Sequence, residues 1–118
     1  MSKNSEPVII KLDKPRVLRF GHKALKQLKA MTGKTLIQID ETIENLDPEE
    51  IEVYMYCGLL VDAKSNNEDL TLEKVEDILE QADNYRYIIE KLAEAVGRSF
   101  GADGEEVKNM IAMDKQKK

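Results

Sequence analysis

Three consecutive residues, Gly33-Lys34-Thr35, carry the letters that close a phosphate-binding loop. That chemistry needs a glycine five positions before Gly33, so that successive backbone N–H groups turn inward around an anion, and a strand leading into the loop. Leu28 stands at that position, and Gln27, Lys29 and Ala30 read as one helix running into Gly33. The same letters have a structural use: Gly33 ends one helix in the left-handed conformation and Thr35 caps the next. Nucleophilic chemistry would fall to Cys57, which needs a base. The single histidine, His22, begins a different helical pattern, and Cys57 lies in an apolar run where cysteine packs as a small hydrophobe. His22 has no second His or Cys at ligand spacing. The acidic pairs Glu49/Glu50, Glu68/Asp69 and Glu105/Glu106 lack the spacing and turn glycine of a calcium loop. The expectation is a protein without catalytic, cofactor-binding or metal-binding residues.

The elements that would position any site follow from periodicity. "VIIKL" (8–12) and "RVLRF" (16–20) read as two short strands around Asp13-Lys14-Pro15, with Val8, Ile10 and Leu12 on one face and Leu18 and Phe20 likewise. A lone hairpin is marginal in water, so it must lie on helices or pair its edges, and open edges invite self-association. From Gly21 the period becomes helical: Ala24, Leu25, Leu28 and Met31 form a stripe, Lys23, Lys26 and Lys29 the opposite surface. Thr35 and Gln38 make a capping box, followed by Leu36, Ile39, Ile43 and Leu46. Asp47 and Pro48 start a third helix, with Glu49 and Glu50 in its first turn. It runs apolar nearly all round from Val53 through Val61, as a central core helix does, and places Leu59 and Leu60 in the interior. Thr71 caps a fourth helix, with Leu72, Val75, Ile78 and Leu79 inward, and Asp83-Asn84 precedes a fifth over 85–100 with Ile88, Ile89, Leu92 and Val96 as its stripe. The fold class expected is α-rich (α+β): a hairpin over 8–20 packed on four to five helices, one domain over 1–100, and a weakly ordered or short helical tail over 101–118.

Length and composition agree with a single core. The chain has 118 residues, 42% hydrophobic and 35% charged, and no stretch approaches a membrane span. "MSKNSEPVII" lacks the basic and apolar regions of a signal peptide, and one cysteine permits no internal disulfide, which fits a reducing cytoplasm. Without Trp and with only two Phe and four Tyr, an aromatic platform for single-stranded nucleic acid is not expected. The net charge of −5 conceals a division: residues 1–34 hold nine Lys/Arg and two Asp/Glu, a net of +7, and residues 35–107 hold five and twenty, a net of −15. Residues 108–118 return to +3, with four Lys and one Asp. A basic head on an acidic body suits a nucleic acid, an acidic partner or the acidic body of another copy, or else the two parts folding onto each other; the acidic majority argues against nucleic acid. The candidate residues for a partner or a second copy are Val8, Ile10, Arg16, Arg19, Lys23, Lys26 and Lys29.

In this order of elements, Phe20-Gly21, Ala24 and Leu25, Thr32-Gly33-Lys34, the run from Tyr54 to Leu60, and Leu70-Thr71 carry a resemblance over residues 8–100. The chain resembles the tail assembly chaperones of long non-contractile-tailed phages and prophages of Gram-positive bacteria. It departs from them at Lys74, where an acidic residue would complete the cap after Thr71. The resemblance implies a non-enzymatic protein of the host cytoplasm, absent from the mature virion. Such proteins bind and solubilise the long tape measure protein and recruit tail tube subunits around it. The alternative is a small phage or bacterial DNA-binding regulator that uses the basic segment 16–34.

Overall fold

Strict alternation of apolar residues produces the first two elements, β1 (Val8–Lys11) and β2 (Pro15–Leu18), which pair antiparallel with Val8 opposite Leu18, Ile9 opposite Val17 and Ile10 opposite Arg16. The computed structural model describes residues 7–101; of the tail expected over 101–118, residues 102–118 lie outside the described residues. Six helices follow among them: α1 (His22–Thr32), α2 (Leu36–Thr42), α3 (Pro48–Gly58), α4 (Leu60–Ser65), α5 (Leu72–Leu79) and α6 (Tyr85–Ser99). The expected α-rich fold with one N-terminal hairpin is the observed one. α3 packs between α1 and α5, while the hairpin lies against α4 and α6.

The even-numbered face of the hairpin, Val8, Ile10, Leu12, Leu18 and Phe20, joins one core with Leu28, Ile39, Tyr54, Met55, Leu59, Val75, Leu92 and Val96. Its edges are held by helices. The Val17 N–H donates to Asp62 Oδ1 at 3.0 Å, the Arg19 N–H to the Gly58 carbonyl at 2.9 Å, and the Lys11 N–H to the Tyr87 hydroxyl at 2.8 Å. Those bonds supply what a free two-stranded sheet lacks.

Local signals set most helix boundaries. Gly33, at φ 76°, ends α1 and donates its N–H to the Lys29 carbonyl. Gln38 N–H donates to Thr35 Oγ1 at 3.2 Å and Thr35 N–H to Gln38 Oε1 at 2.8 Å, the reciprocal box that starts α2. Asp47, followed by Pro48, starts α3, with the Asp47 N–H on Glu50 Oε1 at 2.9 Å. Thr71 Oγ1 accepts from the Lys74 N–H at 3.1 Å, and Asn84 Oδ1 from the Tyr87 N–H at 2.9 Å. Lys74 turns its ammonium back to the Asp69 carbonyl at 2.6 Å, tying the cap from the other side.

Four expectations need correction. The helix read as continuous from Asp47 breaks at Leu59, giving α3 and α4 and a sixth helix in place of four to five. The Gly58 carbonyl there accepts from Arg19, just past β2, and Gly58 lets the strand end approach: a Cβ there would lie 2.6 Å from Leu18 Cδ1 and 2.8 Å from Phe20 Cζ. Leu60, expected inside, is half-buried, whereas Leu59 is buried. Leu36 and Leu72, first residues of α2 and α5, are exposed. First-turn side chains reach back past the helix end, off the packed face. Met31, in the last turn of α1, is also exposed where the stripe placed it inward.

Candidate partner interface

Most of the residues typed for chemistry are occupied in holding the fold. At the phosphate-loop look-alike, the Gly33, Lys34 and Thr35 N–H groups donate to the Lys29 carbonyl, Thr32 Oγ1 and Gln38 Oε1, so these amides already have acceptors. Lys34 Nζ meets Glu50 Oε2 at 2.9 Å and Thr42 Oγ1 at 3.2 Å, and stands 5.6 Å from the centre of the Tyr54 ring. Burial pulls the Lys34 ammonium pKa down, and Glu50 with Tyr54 more than reverses this. The lysine therefore fastens the turn between α1 and α2 to α3.

Cys57 is buried, its Sγ 3.8 Å from Met31 Sδ, and burial pushes its thiol up to about 11. At neutral pH that is a protonated, packed side chain. His22 is exposed at the first position of α1. Glu50 and Glu68 are engaged with lysine and arginine, and Glu105/Glu106 lie outside the described residues. Among the described residues no group of three or more His, Cys, Asp or Glu could hold a metal ion, and no helix is long and apolar enough to cross a membrane.

Arg16 is the largest departure from the surface pictured in sequence. It shares the inward face of β2 with Leu18, and its side chain is only 3% exposed. Nε and Nη2 grip Asp13 Oδ1 and Oδ2 at 2.7 and 2.9 Å, while Nη1 reaches Glu68 Oε1 at 2.8 Å and Asp62 Oδ2 at 3.1 Å. Lys14 adds a contact to Glu68 Oε2 at 2.8 Å. The hydrogen bonds from Arg16, then Lys14, hold Glu68 down to about 2, and that from Arg16 holds Asp13 low. The same carboxylates, Asp13 foremost, raise the guanidinium still further above neutrality. This cluster ties the hairpin turn to α4 and to the loop before α5. Its signal in sequence was parity, since residues 16, 18 and 20 share one strand face.

Of the candidate partner residues, Val8, Ile10 and Arg16 are interior, and Arg19, Lys23, Lys26 and Lys29 are exposed. The three lysines line the outer side of α1. Opposite in charge, Glu52 lies near Glu49 and Glu76 across α3 and α5; burial, then those two carboxylates, push its carboxyl up. A feature that sequence reasoning missed is the outward face of the hairpin. Ile9, 42% exposed, stands opposite half-buried Val17, and Val61 of α4 is 48% exposed. Val17, Val61 and Arg19 line a groove of about 380 Å³ that continues to Ser99 and to Arg98, itself paired with Glu94 at 2.9 Å. The alternation that put Val8 and Ile10 inside required Ile9 and Val17 outside, so the signal was present.

No family model, curated protein or solved structure matches this chain. The functional reading therefore stands on the residues and the geometry.

Proposed function

We propose that this chain is a non-enzymatic tail assembly chaperone of a long non-contractile-tailed phage or prophage. In this reading it acts in the host cytoplasm, binds and solubilises the tape measure protein, helps recruit tail tube protein, and leaves before the virion is complete. The observation that carries the reading is the division of labour among side chains. The groups with chemical potential, Lys34, Cys57, Glu50 and Glu68, are engaged in contacts within the fold, while exposed cations and apolar side chains occupy the surface. Such a surface suits a long helical partner whose apolar stripes have no cover until a tube forms around them. Co-expression with the tape measure gene of the same operon tests this: the tape measure should become soluble and co-purify, and an insoluble tape measure would overturn the proposal.

We also propose that copies associate head to tail, the Lys23/Lys26/Lys29 side of one against the acidic α3–α5 side of the next. A contact of this kind is heterologous and builds a ring or spiral, which matches a long, repetitive partner. The DNA-binding alternative draws on the exposed Arg19, Lys23, Lys26 and Lys29, but it has lost Arg16 to the interior and must work beside a body of net −15, with twenty Asp/Glu against five Lys/Arg over 35–107. A salt-dependent shift of duplex DNA at low micromolar protein would favour it.

A further inference from the structure

We infer that the outward face of the β1–β2 hairpin, together with α4, is the docking site for an amphipathic partner helix whose apolar stripe is flanked by Asp or Glu. Val17 links the two apolar parts of the site. Ile9 and Val17 are direct cross-strand neighbours on the solvent side of the sheet, and Val17 and Val61 line the same groove. Ile9 is 42% and Val61 48% exposed, and all three side chains are β-branched and stiff. Cations frame it: Lys11 is two residues beyond Ile9 and Arg19 two beyond Val17, so both lie on the same outward face, and both are exposed. An apolar centre between two cations fits a helix that carries Leu or Ile at i, i+3, i+4 spacing beside carboxylates.

Two other occupants fit less well. A nucleic acid would pair its phosphates with Lys11 and Arg19 and leave the apolar centre uncovered. A second copy offers no matching stripe: its exposed Leu36 and Ile37 are adjacent on α2 and Leu72 stands at the start of α5, not at i, i+3, i+4 spacing. The site is small and its single-copy affinity correspondingly weak. Many copies along one long partner would hold it by avidity while each contact stays reversible. The identity of that partner as a tape measure protein rests on the function proposed above; the site itself does not.

The test uses the full chain and a labelled synthetic 18-residue helical peptide with Leu at i, i+3, i+4 spacing flanked by Glu, read by fluorescence anisotropy. Controls are a scrambled peptide of the same composition and a Lys-for-Glu peptide. The acidic amphipathic peptide should bind at least tenfold tighter than either. Val61→Asp and, independently, Ile9→Asp should each weaken it at least tenfold with unchanged thermal midpoints. Arg19→Glu should weaken it severalfold and improve binding of the Lys peptide. Equal binding of the scrambled peptide, or wild-type binding by both Asp variants, would overturn the site. So would duplex DNA displacing the peptide, or binding that tracks self-association in sedimentation. Co-purification separates the two proposals. A tape measure protein retained by Val61→Asp and Ile9→Asp removes this site and keeps the chaperone reading. Peptide binding at the site without retention of the tape measure by wild type does the reverse.

Discussion

Arg16 faces three carboxylates, Asp13, Asp62 and Glu68, while almost excluded from water. Arg16→Met would leave those acids without their shared cation, and breaking a buried ion cluster from one side should destabilise by about 3–5 kcal/mol, measurable as a lower urea midpoint. The acids also make a pH prediction. Glu68 is depressed from 4.5 to about 2, and Asp13 is lowered too. A carboxyl with a depressed folded pKa contributes stability that is complete above its unfolded pKa and lost as pH falls through its folded one. The thermal midpoint should therefore drop between about pH 4.5 and 2, and the drop should be shallower in Arg16→Met. Cys57 supplies a third expectation at this scale. With its thiol pushed up to about 11 by burial, native protein should react with a thiol reagent only at the rate of opening, and Cys57→Ala should keep partner binding. Fast labelling of native protein, or a folded alanine variant that no longer binds, would contradict this.

At the scale of elements, the break between α3 and α4 is where helix and strand meet. Gly58→Ala should gain about 1 kcal/mol in helix propensity, but its new methyl meets Leu18 and Phe20, which are 1% and 2% exposed and have no room to yield. Overpacking of about 1–3 kcal/mol should prevail, so the net effect on the denaturation midpoint should be a loss. Leu59→Ala should cost about 2–5 kcal/mol because Leu59 is fully buried, and Leu60→Ala distinctly less. Equal costs for both would misplace the break. The same comparison shows what sequence could tell. Gly33, Thr35, Asp47, Thr71 and Asn84 were legible because a cap is made by residues within about three or four positions of each other. The break after Gly58 was not, because the amide that meets the Gly58 carbonyl is that of Arg19, 39 positions away. Arg16 was misread for a like reason: its partners Asp62 and Glu68 lie 46 and 52 residues away. Of the candidate interface, the exposed lysines of α1 were legible from helical period. The outward Ile9 and Val17 were legible from strand alternation, but their joining with Val61 was not, since it links a strand pair to a helix that sequence had merged into another.

For the whole molecule, the charge division makes association sensitive to salt. Lys23, Lys26 and Lys29 are exposed and lie off the buried Ala24 and Leu28 face, so reversing all three to Glu should reduce oligomer size and leave the monomer folded. Screening over about 8–10 Å near physiological ionic strength should weaken wild-type association in the same direction. Light scattering across salt and concentration checks both; a strictly monomeric wild type at low salt would leave the division to serve an outside partner alone. A different consequence follows from the two bonds that close the hairpin against α6. Lys11 N–H meets the Tyr87 hydroxyl across 76 residues, and the Ser99 hydroxyl meets the Phe20 carbonyl across 79. The hairpin is thus finished by a helix made well after it, so it must wait, unsupported, until residues 85–99 have emerged. Closure of that long loop is the slow kind of contact. During synthesis, then, the apolar strands of this protein are themselves exposed clients before they become part of a folded one.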